Sequence, residues 1–172
     1  MAVVCGHIDI PEDTWNKHYL PLLAALPKDT LIYTGGAEGS DYFTQKFCIS
    51  QLHRFVVCDK GTQNNVINHG NKSLPFRIGH VNGFSSFPER DEYMLQKCND
   101  VITVLYNNTR ALGSGSFYNL LFKKLGCDLA KSFQLHARSK EWDDISSCIE
   151  SFNSPHQDSI KELASKHLII TP

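Results

Sequence analysis

The sequence Leu31-Ile32-Tyr33-Thr34-Gly35-Gly36-Ala37-Glu38-Gly39-Ser40-Asp41 leads from an apolar run directly into a glycine-rich turn. Apolar residues at helical spacing follow it and predict a helix over 40–52. A strand that turns through glycines into a helix leaves backbone N–H groups at the positive end of the helix dipole. Such a loop binds anions, and phosphate above all, so Gly35, Gly36, Gly39 and Ser40 are candidate ligand contacts.

A second glycine-rich segment, Gly113-Ser114-Gly115-Ser116, follows the apolar run over 101–105 and precedes a predicted helix over 116–125. Two loops of this kind in one small domain favour a pocket for a nucleotide or a sugar phosphate. The alternative for both loops is a tight turn or ordinary loop packing. Ser40 has a further alternative, since a serine at the start of a helix caps it without any ligand.

The composition of the chain limits the kinds of partner that it is expected to bind. The length of 172 residues predicts about one domain. The composition, 41% hydrophobic and 20% charged, is ordinary for a globular protein. The formal net charge is −1 and the Lys and Arg residues form no cluster, which argues against long nucleic acids as partners. A small phosphorylated ligand needs only a few hydrogen-bond donors, so it stays a possible partner. No apolar run approaches the roughly 18 residues of a membrane-spanning helix, so no membrane partner is expected.

Six cysteines are scattered along the chain, never closer than ten residues, and no C-x-x-C pair occurs. Neither a metal site nor redox chemistry is therefore predicted, and no cofactor is expected. Reduced thiols and the lack of a signal-peptide pattern favour a cytoplasmic location. Four cysteines lie within or beside apolar runs, where a free thiol acts as a small core residue; they are Cys5, Cys48, Cys58 and Cys98.

Short apolar runs alternate with helical patterns along the chain. The predicted strands are 2–5, 31–34, 54–58, 100–105, 131–135 and, last and shortest, 168–171. The predicted helices are 11–26, 40–52, 88–99, 116–125, 141–152 and 157–167. This alternation predicts a single Rossmann-like α/β domain of three layers, with a mostly parallel sheet of about five strands. Ligands of such sheets bind beyond the carboxyl ends of the strands, which both glycine loops follow.

Residues 59–87 lack clear periodicity. So long an irregular stretch is rare in a compact domain unless it serves a binding site or is disordered. Its basic and aromatic residues favour a binding segment; they are Lys72, Phe76, Arg77, His80, Phe84 and Phe87. In that interpretation Phe84 or Phe87 stacks on a base and His80 belongs to a lid. The alternative is that the two phenylalanines cover the core.

Four features in chain order resemble the SLOG superfamily, the Rossmann-like group that includes lonely-guy phosphoribohydrolases and the DNA-processing protein A domain. Gly6-His7 stands where relatives often carry Gly-Ser, and residues 35–41 are similar to the G-G-A-x-G-x-D signature of one small bacterial branch. Arg90 and Met94 match an R-x-x-x-M arrangement, and Gly115-Ser116 stands where relatives have Gly-Thr. The resemblance spans about residues 2–136 and implies a nucleotide-binding fold that often forms homodimers.

One departure from this resemblance bears on catalysis. Lonely-guy enzymes carry P-G-G-x-G-T-x-x-E, and that Glu belongs to their catalytic apparatus. In this chain Ala111 and Leu112 replace the Pro-Gly, and Asn119 stands in the position of the Glu. An Asn side chain can hold a ribose hydroxyl but is neither a general base nor a nucleophile at neutral pH. The resemblance therefore favours a ligand sensor over a hydrolase.

Three further side chains are candidates for the site. Arg90 suits a phosphate because its fork matches two oxygens, and its alternative is a surface ion pair with Glu89, Asp91 or Glu92. His7 follows the first strand at the same end of the sheet as the pocket, with loop packing as the alternative. Asp41 would repel an anion, so we expect it to cap the helix or to accept a ribose hydroxyl.

Three functions follow from these residues. The first is a binding module for a nucleotide or a nucleotide-derived phosphorylated ligand. The second is an enzyme that cleaves an N-glycosidic bond, such as a phosphoribohydrolase or a deoxyribosyltransferase, with Glu38, Asp41, Glu89 or Glu92 supplying the carboxylate absent at Asn119. The third is an interaction or scaffold protein that binds no nucleotide. The predicted organisation is a nucleotide-binding core over 1–136 and a helical extension over 137–172 packed on the same domain.

Overall fold

The computed structural model describes residues 1–59, 79–98, 100–103, 105–106, 130–137, 139–140, 142–143, 145–166 and 169–170. Contacts divide the chain into two compact units, Met1–Ile102 and Thr103–Pro172. The domain boundary predicted after residue 136 stays a prediction, because residues 107–129 lie outside the described ranges.

Short strands of β-branched, aromatic and small residues form the sheet of the first unit. Every residue of the first two strands is buried, which indicates that both faces of the sheet are covered. The strands are β1 (Ala2–Cys5), β2 (Ile32–Gly35), β3 (Phe55–Cys58), β4 (Gly79–Val81) and β5 (Asp100–Thr103).

The strand order is β4-β3-β2-β1-β5. β1 pairs in parallel with β2, β2 with β3, and β3 with β4, with Gly35 of β2 opposite Cys58 of β3. The carboxyl ends of these four strands therefore share one edge of the sheet, called here the carboxyl edge. The predicted α/β class with a parallel sheet is confirmed, and parallel pairing is described for four strands rather than about five.

The helix predicted over 11–26 is wrong in one respect, because the chain forms two helices, α1 (Glu12–His18) and α2 (Leu20–Ala24). Pro21 explains the interruption, since proline lacks a backbone N–H and its ring crowds the carbonyl four residues earlier. The Tyr19 hydroxyl at the junction donates a hydrogen bond of 2.9 Å to the Cys5 carbonyl. This bond ties the helix pair to the end of β1.

The next helices, α3 (Ser40–Gln51) and α4 (Phe87–Lys97), agree with the predictions within two residues. α4 begins at a cap in which the Ser86 hydroxyl accepts the Glu89 N–H at 3.2 Å. In return the Glu89 carboxylate accepts the Ser85 N–H at 2.7 Å. α4 buries Met94 against Val3 and Tyr33 of the sheet, and the same helix carries Arg90 and Asp91 inward.

The second unit contains α5 (Ala130–Ala137), α6 (Ile145–Ser151) and α7 (Gln157–Lys166). Two short strands, β6 (Leu105–Tyr106) and β7 (Ile169–Ile170), pair in parallel. The strand predicted over 131–135 is wrong, because these residues lie in α5. Phe133 and Ala137, four residues apart, are both buried, which is the spacing of a helix face.

Two further outcomes concern the predicted elements. β4 lies inside the stretch 59–87 that was predicted to be irregular, and at three residues it is too short to show any periodicity. The helix predicted over 116–125 lies outside the described residues. Among the helices that are described, none has both the length and the apolar content needed to cross a bilayer.

We predict that Gly39→Ala destabilises the protein far more than Gly83→Ala. Both glycines have positive φ, +68° and +86°. A side chain at Gly39 would also collide with the backbone oxygens of His7 and Ile8, whereas a Cβ atom at Gly83 would meet no atom of the described residues within 4 Å. Urea unfolding should show a loss of about 1–2 kcal/mol for Gly83→Ala and of about 3 kcal/mol or more for Gly39→Ala. Equal losses would contradict the close approach of the loop to His7 and Ile8.

Candidate functional site

Buried polar residues gather at the carboxyl edge of the sheet. His7 follows β1, Thr34 and Gly35 end β2, and Asp59 follows β3. Two helices add further polar side chains, Ser40 and Asp41 from the start of α3 and Arg90 and Asp91 from α4. The side chains of this group are at most 3% exposed: His7, Thr34, Ser40, Asp41, Asp59, Arg90 and Asp91.

Gly35 is the meeting point of the two helices. A Cβ atom at this position would collide with Oδ2 of Asp41 and would lie 3.0 Å from Nη1 of Arg90. The missing side chain therefore makes room for a carboxylate from α3 and a guanidinium from α4. Gly6 has a similar role, because a Cβ there would collide with the Tyr19 hydroxyl and lie 2.9 Å from Oγ of Ser40.

The loop over residues 35–41 holds a carboxylate of its own. Oδ2 of Asp41 accepts the Ala37 N–H at 3.4 Å. The first N–H of α3 is also engaged, since Ser40 donates to the His7 carbonyl at 3.1 Å. Asp41 lies in the first turn of α3, where the helix dipole favours a negative charge. The N–H groups of Ala37 and Ser40 therefore already have acceptors within the protein.

Burial sets the protonation of two residues at this edge. Burial raises the pKa of Asp41 to about 6, against the opposing effects of the Arg90 charge and the Ala37 N–H. Burial also lowers the pKa of His7 to about 4, so its imidazole is neutral near pH 7. Both shifts come from the same cause, since loss of water disfavours whichever form carries the charge.

Arg90 is paired within the protein. Its Nε and Nη2 donate to Oδ1 of Asp91 at 3.1 and 2.9 Å, and both residues are buried. The guanidinium also lies 5.1 Å from the centre of the Phe87 ring. Asp91 is one of the partners named for the alternative ion pair, but the pair is buried and does not lie at the surface. A phosphate contact of Arg90 stays a prediction, and such a phosphate would compete with Asp91.

Three buried oxygen atoms at this edge have no hydrogen-bond partner among the described residues. They are Oγ1 of Thr34, Oγ of Ser40 and Oδ1 of Asp41. A buried polar atom without a partner costs about 1–3 kcal/mol, so such atoms in a folded protein call for an explanation. Their clustering beside a glycine loop is what a site built for a polar ligand would show.

The other predicted carboxylates do not belong to this buried cluster. Glu38, Glu89 and Glu92 are exposed. Glu89 is engaged in capping α4, where the Ser85 hydroxyl and N–H hold its pKa below the usual range. Of the four carboxylates considered for catalysis, Asp41 alone is buried at the carboxyl edge.

The two phenylalanines predicted to stack on a base lie in different surroundings. Phe84 packs on the core beside Tyr93, with ring centres 5.3 Å apart, whereas Phe87 is 41% exposed. His80 lies in the middle of β4. The remaining predicted residues lie outside the described ranges: Lys72, Phe76, Arg77, Gly113, Ser114, Gly115, Ser116 and Asn119.

Sequence reasoning missed Thr34 and Asp59, and it named Asp91 only as a possible ion-pair partner of Arg90. Asp59 had a usable signal, because it is the first charged residue after the apolar run over 55–58. Thr34 had none, since a threonine ending a strand is common. Within the described ranges, no group of three or more His, Cys, Asp or Glu residues is placed to hold a metal ion. Burial raises the pKa of Cys58 to about 12, which keeps this thiol protonated.

We predict that Asp41→Asn and His7→Gln change the pH dependence of stability in opposite directions. Native Asp41 keeps its proton up to about pH 6, and the unfolded chain releases it near pH 4, so its stabilisation is lost as the pH rises between these values. Native His7 gains a proton only near pH 4, and the unfolded chain gains it near 6.5, so its stabilisation is lost as the pH falls.

The two contributions largely cancel in the wild type between pH 4 and 6. Urea unfolding of Asp41→Asn should therefore show stability rising with pH across this window by about 2–3 kcal/mol relative to wild type. His7→Gln should show a fall of similar size. Glu38→Gln, which changes an exposed carboxylate of the same loop, is the control and should follow the wild type. Parallel profiles for all four proteins would contradict the burial of Asp41 and His7.

Comparisons of the chain with protein-family models, with curated proteins and with solved structures find no match. The α/β class rests on the observed parallel pairing of the strands. The resemblance to the SLOG superfamily rests on the motifs of the sequence and stays a prediction.

Proposed function

We propose that the chain binds a nucleotide or a nucleotide-derived phosphorylated ligand at the carboxyl edge of its sheet. The observation that carries this proposal is the convergence of the glycine loop 35–41 with buried polar side chains from β2, α3 and α4 at the ends of parallel strands. Open parallel sheets bind their ligands at this edge, where loops and helix starts present polar groups to one place.

The polar atoms without partners support the same proposal. Oγ1 of Thr34 and Oγ of Ser40 are buried with no hydrogen bond among the described residues. For folding alone, valine and alanine would serve better at these positions, because they remove the cost of an unsatisfied hydroxyl. These hydroxyls lower the stability of the unliganded protein, and a ligand that forms hydrogen bonds with them would explain why they are present.

Ser40→Ala is the variant that separates binding from folding. Since Oγ of Ser40 has no partner among the described residues, its removal should change stability by less than about 1 kcal/mol. Arg90→Ala would be ambiguous, because it leaves the buried carboxylate of Asp91 unpaired and destabilises the fold by about 3–5 kcal/mol.

The test is a thermal-shift screen of mono-, di-, oligo- and cyclic nucleotides, followed by calorimetric titration of any compound that stabilises the protein. A ligand at a hundred times its Kd adds about 2.7 kcal/mol, which raises Tm by several degrees. Ser40→Ala should weaken binding of that ligand about tenfold, the value of one hydrogen bond. Ser50→Ala is the matched control, because Ser50 lies near the other end of α3 and donates to the Phe47 carbonyl.

Two outcomes would count against the proposal. If no nucleotide raises Tm at millimolar concentration, the scaffold hypothesis is favoured instead. If a nucleotide binds equally well to wild type, Ser40→Ala and Ser50→Ala, the ligand site does not include the start of α3.

Cleavage of an N-glycosidic bond is a second candidate function, favoured by the position of Asp41. Its carboxyl group is buried at the carboxyl edge with a pKa raised to about 6, which suits a general acid or base near neutral pH. If the ligand is turned over, Asp41→Asn should abolish base release while Glu38→Gln leaves it unchanged. Base release by Asp41→Asn at the wild-type rate would exclude Asp41 from this role.

A further inference from the structure

We infer that the glycine loop 35–41 selects a hydrogen-bond donor, a sugar hydroxyl of the nucleotide, and rejects phosphate. This inference rests on the proposed function and deepens it, because it assigns one loop to one part of the ligand. The residue that determines the selection is Asp41.

The anion position of the loop is filled by a side chain of the protein. In glycine loops that bind phosphate, backbone N–H groups point at the anion. Here the Ala37 N–H points at Oδ2 of Asp41, and the same oxygen lies where a side chain of Gly35 would stand. A phosphate at this place would have to displace a carboxylate that is covalently part of α3.

The backbone oxygens of His7 and Ile8 lie against Gly39, so close that a Cβ atom there would collide with both. The His7 oxygen already accepts the Ser40 N–H at 3.1 Å. Two backbone acceptors therefore lie beside the start of α3, and an anion next to Gly39 would meet their lone pairs.

Among the described residues, buried carboxylates outnumber buried cationic side chains at the carboxyl edge. Among the described residues, Asp41, Asp59 and Asp91 are buried there together with the single guanidinium of Arg90. Two of the nitrogen atoms of Arg90 are committed to Asp91. An excess of carboxylate in a buried place repels a phosphate and attracts a donor.

A sugar hydroxyl would contact two buried oxygen atoms at the start of α3. Oδ1 of Asp41 has no donor among the described residues, and neither does Oγ of Ser40, the residue before it. A sugar hydroxyl can donate to the carboxylate oxygen and accept from the serine hydroxyl at the same time. One hydroxyl would thus satisfy two buried groups that the protein leaves unsatisfied.

The first experiment compares each ribonucleoside 5′-monophosphate with its 2′-deoxy and 3′-deoxy counterparts by calorimetric titration. Loss of the hydroxyl that contacts Asp41 should weaken binding to the wild type about 10- to 100-fold, the effect of a hydrogen bond to a charged acceptor. In Asp41→Asn this preference should shrink to about twofold or less. Glu38→Gln is the control and should keep the wild-type preference.

The outcomes separate the two proposals. If nucleotides bind and the deoxy compounds bind equally well, or if Asp41→Asn keeps the full preference, the present inference is overturned and the proposed function survives. If no nucleotide binds to the wild type, the proposed function itself is overturned, and the assignment of a sugar hydroxyl falls with it.

A second experiment tests the occupied anion position without any nucleotide. Asp41→Ala deletes the carboxylate, and formate has the size and charge of the deleted group. Formate should raise the Tm of Asp41→Ala saturably by about 2–4 °C relative to sodium chloride at equal ionic strength. The wild type and Glu38→Ala should show no such rise. A response to formate in all three proteins, or in none, would contradict the filled loop.

Discussion

The buried contact of Asp41, Arg90 and Gly35 is the constraint on which the first unit depends. A carboxylate from α3 and a guanidinium from α4 meet above a strand residue that has no side chain. Both side chains occupy the space that a Cβ atom at Gly35 would need, so the packing of the two helices on β2 depends on the small size of this residue. Because these side chains fill the space at Gly35, no larger residue fits at this position of β2. They also hold polar groups at the carboxyl edge, where parallel sheets bind their ligands.

This constraint changes how a glycine-rich loop is interpreted. By sequence, residues 35–41 look like a phosphate loop, because glycines lie between a strand and a helix. In the structure the Asp41 carboxylate accepts the Ala37 N–H, and carbonyl groups of His7 and Ile8 lie against Gly39. The first loop is therefore rich in acceptors. In our proposal this loop therefore holds the sugar of the nucleotide.

Local patterns in the sequence predicted much of the fold and part of the site. Strands β1 to β3 and helix α3 follow from continuous apolar runs and one helical period, which need no tertiary information. The break before Pro21 was also readable, because a proline inside a helical pattern is tolerated only in the first turn of a helix. The error over 131–135 has another origin, since a short run around Phe133 fits a strand or a helix face equally well. The approach of Asp41 and Arg90 to Gly35 could not be predicted, because it depends on where α4 docks.

The central claim is that a nucleotide binds at the carboxyl edge, around the loop 35–41. Its most direct test is a titration of ¹⁵N-labelled protein with the nucleotide that stabilises it most, followed by amide chemical shifts. The account predicts the largest shift changes within the described residues at the loop 35–41, at His7 and at Asp59. Large changes confined to residues 130–170, with those amides unmoved, would contradict it.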